Sequence, residues 1–210
     1  MNEWSTYSLS DFLMFSERTY FRLIELYNTA LWPFHLLALA LGLALITGRP
    51  HSSRLRAILL GMAWLWVAWA YHAERYATIN TAAPYFAAAF ALQGALLVMW
   101  GHLGSGRDRA ALALQHIALL GYPLLALLAG RPWQQAELFG LTPDPTVAVT
   151  LALLLRSGSP WWLWIMPLLW CAVSSATLST MHLREAWVLP LLALAVLARH
   201  AYTNLRKPAP

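Results

Sequence analysis

Polar side chains set inside or at the mouths of long apolar runs are the groups through which this chain can act, because each is costly to hold away from water. His35 follows Tyr27, Asn28, Trp32 and Pro33 at the start of one run, and Tyr71, His72, Glu74, Arg75 and Tyr76 close the next, ahead of Asn80. Tyr85 opens a third run behind Pro84, and Gln93 lies near its middle. Thr142, Pro143, Asp144, Pro145 and Thr146 open a fifth. An imidazole exchanges a proton near neutral pH, and an amide both donates and accepts without carrying charge. His72 aligns at helical spacing with Trp69 and Tyr76, a stripe that suits a pocket wall and equally the aromatic belt of a membrane interface. The pattern points to a pathway for a small neutral or weakly polar solute. His35 and His72 would offer hydrogen bonds at an outer mouth, Trp69 and Tyr85 an apolar constriction, and Gln93 a midway contact, with Tyr76, Asp144 and Thr146 beside the opening.

Asp144 also has a local role open to it, as the N-cap of a helix whose first residue is Pro145. A helix start framed by prolines at membrane depth resembles the discontinuous helices of transporters. Further along, His102 closes the third run, Gln115 and His116 sit in the second turn of the fourth, and Ser174, Ser175, Thr177, Ser179 and Thr180 make a hydroxyl-rich end to the sixth. The histidines allow a second function, a redox subunit holding haem b through His35 and His72 or through His102 and His116. A structural subunit of a larger membrane complex is a third. The chain has no Gly-Lys-Ser/Thr phosphate loop, no His-Glu-x-x-His and no Gly-x-Ser-x-Gly, and its one cysteine, Cys171, builds neither a disulfide nor a thiolate site. We therefore expect a protein that is not an enzyme and carries no metal or resident cofactor.

The elements that must hold these residues follow from composition. Of 210 residues, 60% are hydrophobic and 11% charged, against roughly 45–50% and about 25% in soluble domains. The mean hydropathy is +0.53. The net charge of +5 is scattered between apolar blocks, which excludes a nucleic-acid-binding surface. A spanning helix needs about 20 mainly apolar residues. Seven segments qualify: Ala30 to Thr47, Ala57 to Ala73, Ala83 to Leu103, Ala110 to Ala129, the short Pro145 to Leu155, Trp161 to Ser179, and Ala186 to His200. With seven crossings and an outer N-terminus, Arg49, Arg54, Arg56, Arg107, Arg109, Arg156, Arg199, Arg206 and Lys207 fall inside, and Arg18, Arg22, Arg75, Arg131 and Arg184 outside. That excess sets the C-terminus in the cytoplasm.

The expected fold class is an all-α polytopic membrane bundle of about seven transmembrane helices. Residues 1–29 read as an amphipathic surface or lid helix starting near Ser10-Asp11 and Phe12, residues 30–203 as the membrane domain, and 204–210 as a basic tail. The first 29 residues are too polar for a secretory signal peptide. The partners are a lipid bilayer, a small solute, and a second copy or a membrane subunit.

From about residue 20 onwards the chain resembles an uncharacterised family of bacterial multi-spanning proteins, some of which carry a generic permease label. The matching stretches are Tyr27-Asn28-Thr29-Ala30-Leu31-Trp32-Pro33, Tyr71-His72, Ile79-Asn80 with Ala82-Ala83, Gly121-Tyr122-Pro123, and Gly140-Leu141-Thr142-Pro143-Asp144-Pro145-Thr146. The resemblance implies a bacterial inner-membrane location. It also implies a cysteine between the two prolines, where this chain carries Asp144.

Overall fold

The computed structural model describes residues 15–48, 52–104, 109–155 and 159–205, and every regular element among them is helical. The expected helix start at Ser10-Asp11, together with Phe12, Arg49, Arg107, Arg156, Arg206 and Lys207, lies outside the described residues.

Helix α1, Glu17–Leu31, is capped by the Ser16 hydroxyl, which accepts from the Thr19 amide at 3.3 Å. It buries Tyr20, Phe21, Leu23, Ile24, Tyr27 and Asn28 against the rest of the molecule and turns its charged residues outward. Its end is set by Pro33: the residue before a proline is pushed out of the helical region, and Trp32 is extended. Helix α2, Phe34–Ile46, leaves this break at 93° to α1. The first expected span is therefore split, with Ala30 and Leu31 completing α1. Gly48, at φ +78°, closes α2 in the left-handed conformation that glycine adopts most cheaply.

Helix α3, Ser53–Trp66, continues without a break into a π-helical turn, Val67–Ala73. It packs on α4, Ala83–Trp100, at a point where no side chain intervenes: a Cβ on Gly61 would stand 2.7 Å from the Gly94 carbonyl oxygen. Small residues at such crossings let two backbones meet. Helix α5, Arg109–His116, a second π turn, Ile117–Gly121, and α6, Tyr122–Leu128, make one continuous rod. Helix α7 is Pro143–Leu154. Short 3₁₀ turns at Trp161–Trp164 and Arg184–Trp187 lead into α8, Ile165–Thr180, and α9, Val188–Leu205.

Contacts between distant residues divide the bundle into two ends. At one, Tyr20 and Asn28 of α1 meet Glu137 and Ala136, and Arg131 meets Glu185. At the other, Arg56 reaches Gly48 and Leu103, and Ser159 bonds His102. From α2 onwards the chain shuttles between this lid end and the far end.

Four continuous stretches are long and apolar enough to cross a membrane: Ala83–Trp100, Arg109–Leu128, Trp161–Thr180 and Arg184–Thr203. The bent pair α1–α2 makes a fifth if it counts as one span. Between 22% and 39% of each of the four apolar windows is buried, so most of their side chains, such as Leu92, Leu124, Leu128 and Leu191, face outward. The expected count of seven is not reached on length and hydropathy. Arg54, Arg56 and the tryptophans at 64, 66 and 69 lower the apolarity of α3 and its π turn. Helix α7 has 12 residues, about 18 Å at about 1.5 Å each, against a hydrocarbon core of about 30 Å. It is instead the core of the bundle, with all its residues buried, as expected of a helix with no polar face.

Candidate functional site

The site is built on the first turn of α7. The helix starts two residues earlier than the sequence suggests: Pro143 is its first residue and Thr142, rather than Asp144, is the N-cap. The Thr142 hydroxyl is spent locally, donating to the Leu138 carbonyl at 3.1 Å and accepting from the Leu138 amide at 3.0 Å. Freed from capping, the Asp144 carboxylate turns into the bundle. Trp170 Nε1 donates to its Oδ1 at 2.7 Å, and Ser174 Oγ donates to its Oδ2 at 2.5 Å. Trp170 and Ser174 are four residues apart on α8, so one helical face supplies both donors.

His72 enters from the π turn. A π turn takes an extra residue per repeat and so re-aims the side chains that follow it. Ala70, Tyr71 and His72 are all buried, three in succession, and His72 has no exposed surface. Its ring lies among those of Phe90 at 4.5 Å, Trp170 at 5.1 Å, Tyr71 at 5.3 Å, Tyr76 at 5.9 Å and Phe86 at 6.0 Å between centroids. Neither ring nitrogen has a hydrogen-bond partner among the described residues. Trp170 thus joins the two groups, with its ring against His72 and its N–H on Asp144.

The connection from Gly130 to Thr142 closes the lid end. Asn28 Nδ2 donates to the Gln134 and Ala136 carbonyls at 2.7 and 2.8 Å, and Tyr20 Oη donates to Glu137 Oε1 at 3.1 Å. Arg131 pairs with Glu185 at 2.6 Å and lays its guanidinium 3.8 Å over the Phe21 ring. Held inside this frame, the Glu137 carboxyl is pushed up to about 8, chiefly because burial disfavours its charged form and secondarily by Asp144. The Tyr20 hydrogen bond and Arg131 pull the other way. Asp144, Tyr20 and Leu178 are shared walls of two small cavities, of about 20 and 10 Å³. Glu137, Arg131 and Tyr122 complete the larger, and Tyr71, Tyr76 and Ser174 the smaller. Outside, a cleft of about 870 Å³ runs between α1 and the Glu74–Ile79 turn, with Arg18, Arg22, Arg75 and Arg131 on its walls.

Of the residues singled out in the sequence, the structure gathers His72, Tyr76 and Asp144 around Trp170 and the smaller cavity. The others lie elsewhere. Trp69 and Tyr85 are 57% and 78% exposed and point away from the bundle, so the expected apolar constriction is not formed by them. Gln93 is buried but bonds the Leu163 carbonyl at 2.9 Å, joining α4 to the turn before α8. Thr146 closes the helix start, donating to the Thr142 carbonyl at 2.7 Å and accepting from the Gly140 amide at 2.8 Å. His35 Nε2 is 3.2 Å from Asn28 Oδ1 and so belongs to the lid anchor. It shares no described neighbour with His72, while His102 and His116 are exposed and turn back on nearby carbonyls. Glu137 and Tyr20 are the residues that the sequence pattern did not mark. The available signal was an acid set among Ala136, Leu138 and Phe139 in an otherwise polar connection. Among the described residues no group of three His, Cys, Asp or Glu could hold a metal ion.

A family of unknown function, DUF6064, matches residues 17–207. The chain belongs to this family. The matched region starts at the first residue of α1 and runs past α9, so it includes the lid, Glu137, α7 and every partner of Asp144. No curated protein and no solved structure matches the chain.

Proposed function

We propose that this protein is a membrane permease for a small neutral or weakly polar solute, without a chemical step of its own. The observation that carries the reading is α7: a half-length helix, enclosed on all sides, whose N-terminus opens on a buried polar cluster beneath a separately hinged helix. Transporters place their sites at such helix starts, near the middle of the bilayer, where irregular backbone is tolerated because protein surrounds it. Seven crossings, with α7 as the short fifth, fit the alternation between the lid end and the far end. With seven crossings the sequence puts nine Lys and Arg on the side of Arg54 and Arg56 and five, Arg18, Arg22, Arg75, Arg131 and Arg184, on the lid side, which favours a cytoplasmic far end and an outer lid in a bacterial inner membrane. The lid cluster mixes acids with Arg131 and presents no ring of one sign, which favours an uncharged solute. Cavities of about 20 and 10 Å³ hold at most a water each, so passage requires α1 to swing about the Trp32–Pro33 break. The haem reading lacks such support, since the paired histidines do not share neighbours.

Stopped-flow light scattering on proteoliposomes, with urea and glycerol as probes, tests the reading. Flux several-fold above protein-free vesicles, reduced by Asp144→Asn in folded protein, is the expected result. Equal flux for both solutes with and without protein overturns it.

A further inference from the structure

Three carboxyl groups line the same cavity of about 20 Å³: Glu185, which is paired with Arg131, and two without a cationic partner of their own, Glu137 of the closing connection and Asp144 of α7. That volume accommodates one water, which needs two to four polar partners. Glu137, Asp144, Tyr20 and Tyr122 supply them. On the other side of Asp144 the smaller cavity is lined by Tyr71, which packs against His72, and neither ring nitrogen of His72 has a partner among the described residues. A polar network left incomplete in this way is costly unless something completes it. Two carboxylates on the walls of one small cavity repel each other, and sharing one proton is cheaper than ionising both.

We infer that Glu137 and Asp144 bind a single exchangeable proton through one water in this cavity, making the permease, if the reading above holds, proton-linked. The water takes a proton from the Glu137 carboxyl on a lone pair and passes one of its own to the Asp144 carboxylate, so charge moves without a net change at the water. Glu137 is the outer member because it touches the lid: Tyr20 of α1 donates to it. The groups that face it from every packed element are Tyr20 of α1, Tyr71 and Tyr76 around the first π turn, Tyr122 of α6, Arg131, Asp144 of α7 and Glu185 before α9. Only Arg131 among them is cationic, and it is already paired with Glu185. Ionising Glu137 while the lid is shut therefore adds an uncompensated charge, and proton loss favours opening.

The test is an infrared pH titration of the purified full-length chain in detergent, without solute, following the protonated-carboxyl band. The wild type should lose this band with a midpoint near 8, and Glu137→Gln should abolish that transition. Tyr20→Phe removes a donor to the carboxylate and should raise the midpoint by about one unit. Asp144→Asn removes the neighbouring negative charge and should lower it. If Glu137→Gln does not fold, the two opposite shifts decide. A midpoint in the ordinary carboxylate range, a band unchanged by Glu137→Gln, or a midpoint unmoved by both other variants overturns the inference. So does a midpoint that follows sodium concentration, which would mean a bound cation. Because no solute is present, a positive titration with no flux leaves the proton site standing and removes the permease reading, and flux with no titration does the reverse.

Discussion

At the far end of the bundle, Arg56 is 1% exposed, yet its guanidinium is fully used. It donates to Gly48 O at 3.1 Å and through Nε to Leu103 O at 3.0 Å, and its second terminal nitrogen also reaches Leu103 O. Arg54 likewise donates to the Gly101 and Val98 carbonyls. The Val98 oxygen belongs to the last turn of α4, and those of Gly48, Gly101 and Leu103 to the backbone just past α2 and α4, where the chain no longer satisfies its own carbonyls. The lid end is also buried and polar, but its chemistry is left open. His72 has two unpartnered nitrogens among the described residues, and three carboxyls line one cavity. Buried polarity alone therefore does not mark a site in this protein. Buried polarity that the fold leaves unsatisfied gathers mostly at the lid end, with Gln93 Oε1 in the middle of α4 as an exception.

The largest effect that sharpens this contrast comes from the far end. Arg56→Ala strands the Gly48 and Leu103 carbonyls and should cost about 3–5 kcal/mol. It would appear as a large drop in the unfolding temperature in detergent, while the Glu137 titration of the protein that remains folded keeps its midpoint. A shifted midpoint would mean that the two ends are coupled. At the lid end the sign reverses. His72→Phe keeps an aromatic ring and removes two unsatisfied nitrogens, so it should stabilise by about 1 kcal/mol while lowering solute flux. A destabilised His72→Phe would show that the imidazole is a structural member like Arg56. An effect comparable in size to that of Arg56→Ala is on the pH dependence of stability. Glu137 binds its proton more tightly folded, at about 8, than at its ordinary 4.5, so between these values the native state holds more protons than the unfolded one. The unfolding temperature should fall steadily as pH rises from 4.5 to 8 and then level off, a slope absent in Glu137→Gln.

Much of the architecture is legible in the residues, because apolar length and proline placement act locally. The starts of α4 at Ala83 and of the α8 rod at Trp161 follow directly from the sequence, and the prolines mark the start of α7 to within two residues. What the pattern misses depends on geometry that a fixed helical period cannot express. Trp69 and His72 lie on one face of a regular helix, but the π turn widens the repeat between them, sending Trp69 outward and His72 into the core. Asp144 suits an N-cap until Thr142 takes that place and leaves its carboxylate to α8. Glu137 sits in a connection whose glutamines and arginine suggest exposure to solvent. Its burial is created by α1, more than a hundred residues earlier, folding back across it.

The enclosure of α7 also bears on how the chain is made. A segment that shows no apolar face to its surroundings gains little from lipid contact and depends on protein neighbours. Asp144 meets Trp170 and Ser174 only after 26 and 30 more residues have been synthesised. At about 5–20 residues per second, the second interval is roughly 1.5–6 s. During that time the Asp144 carboxylate lacks both donors that α8 will supply. The order of synthesis thus makes α8 the element that commits α7 to the bundle.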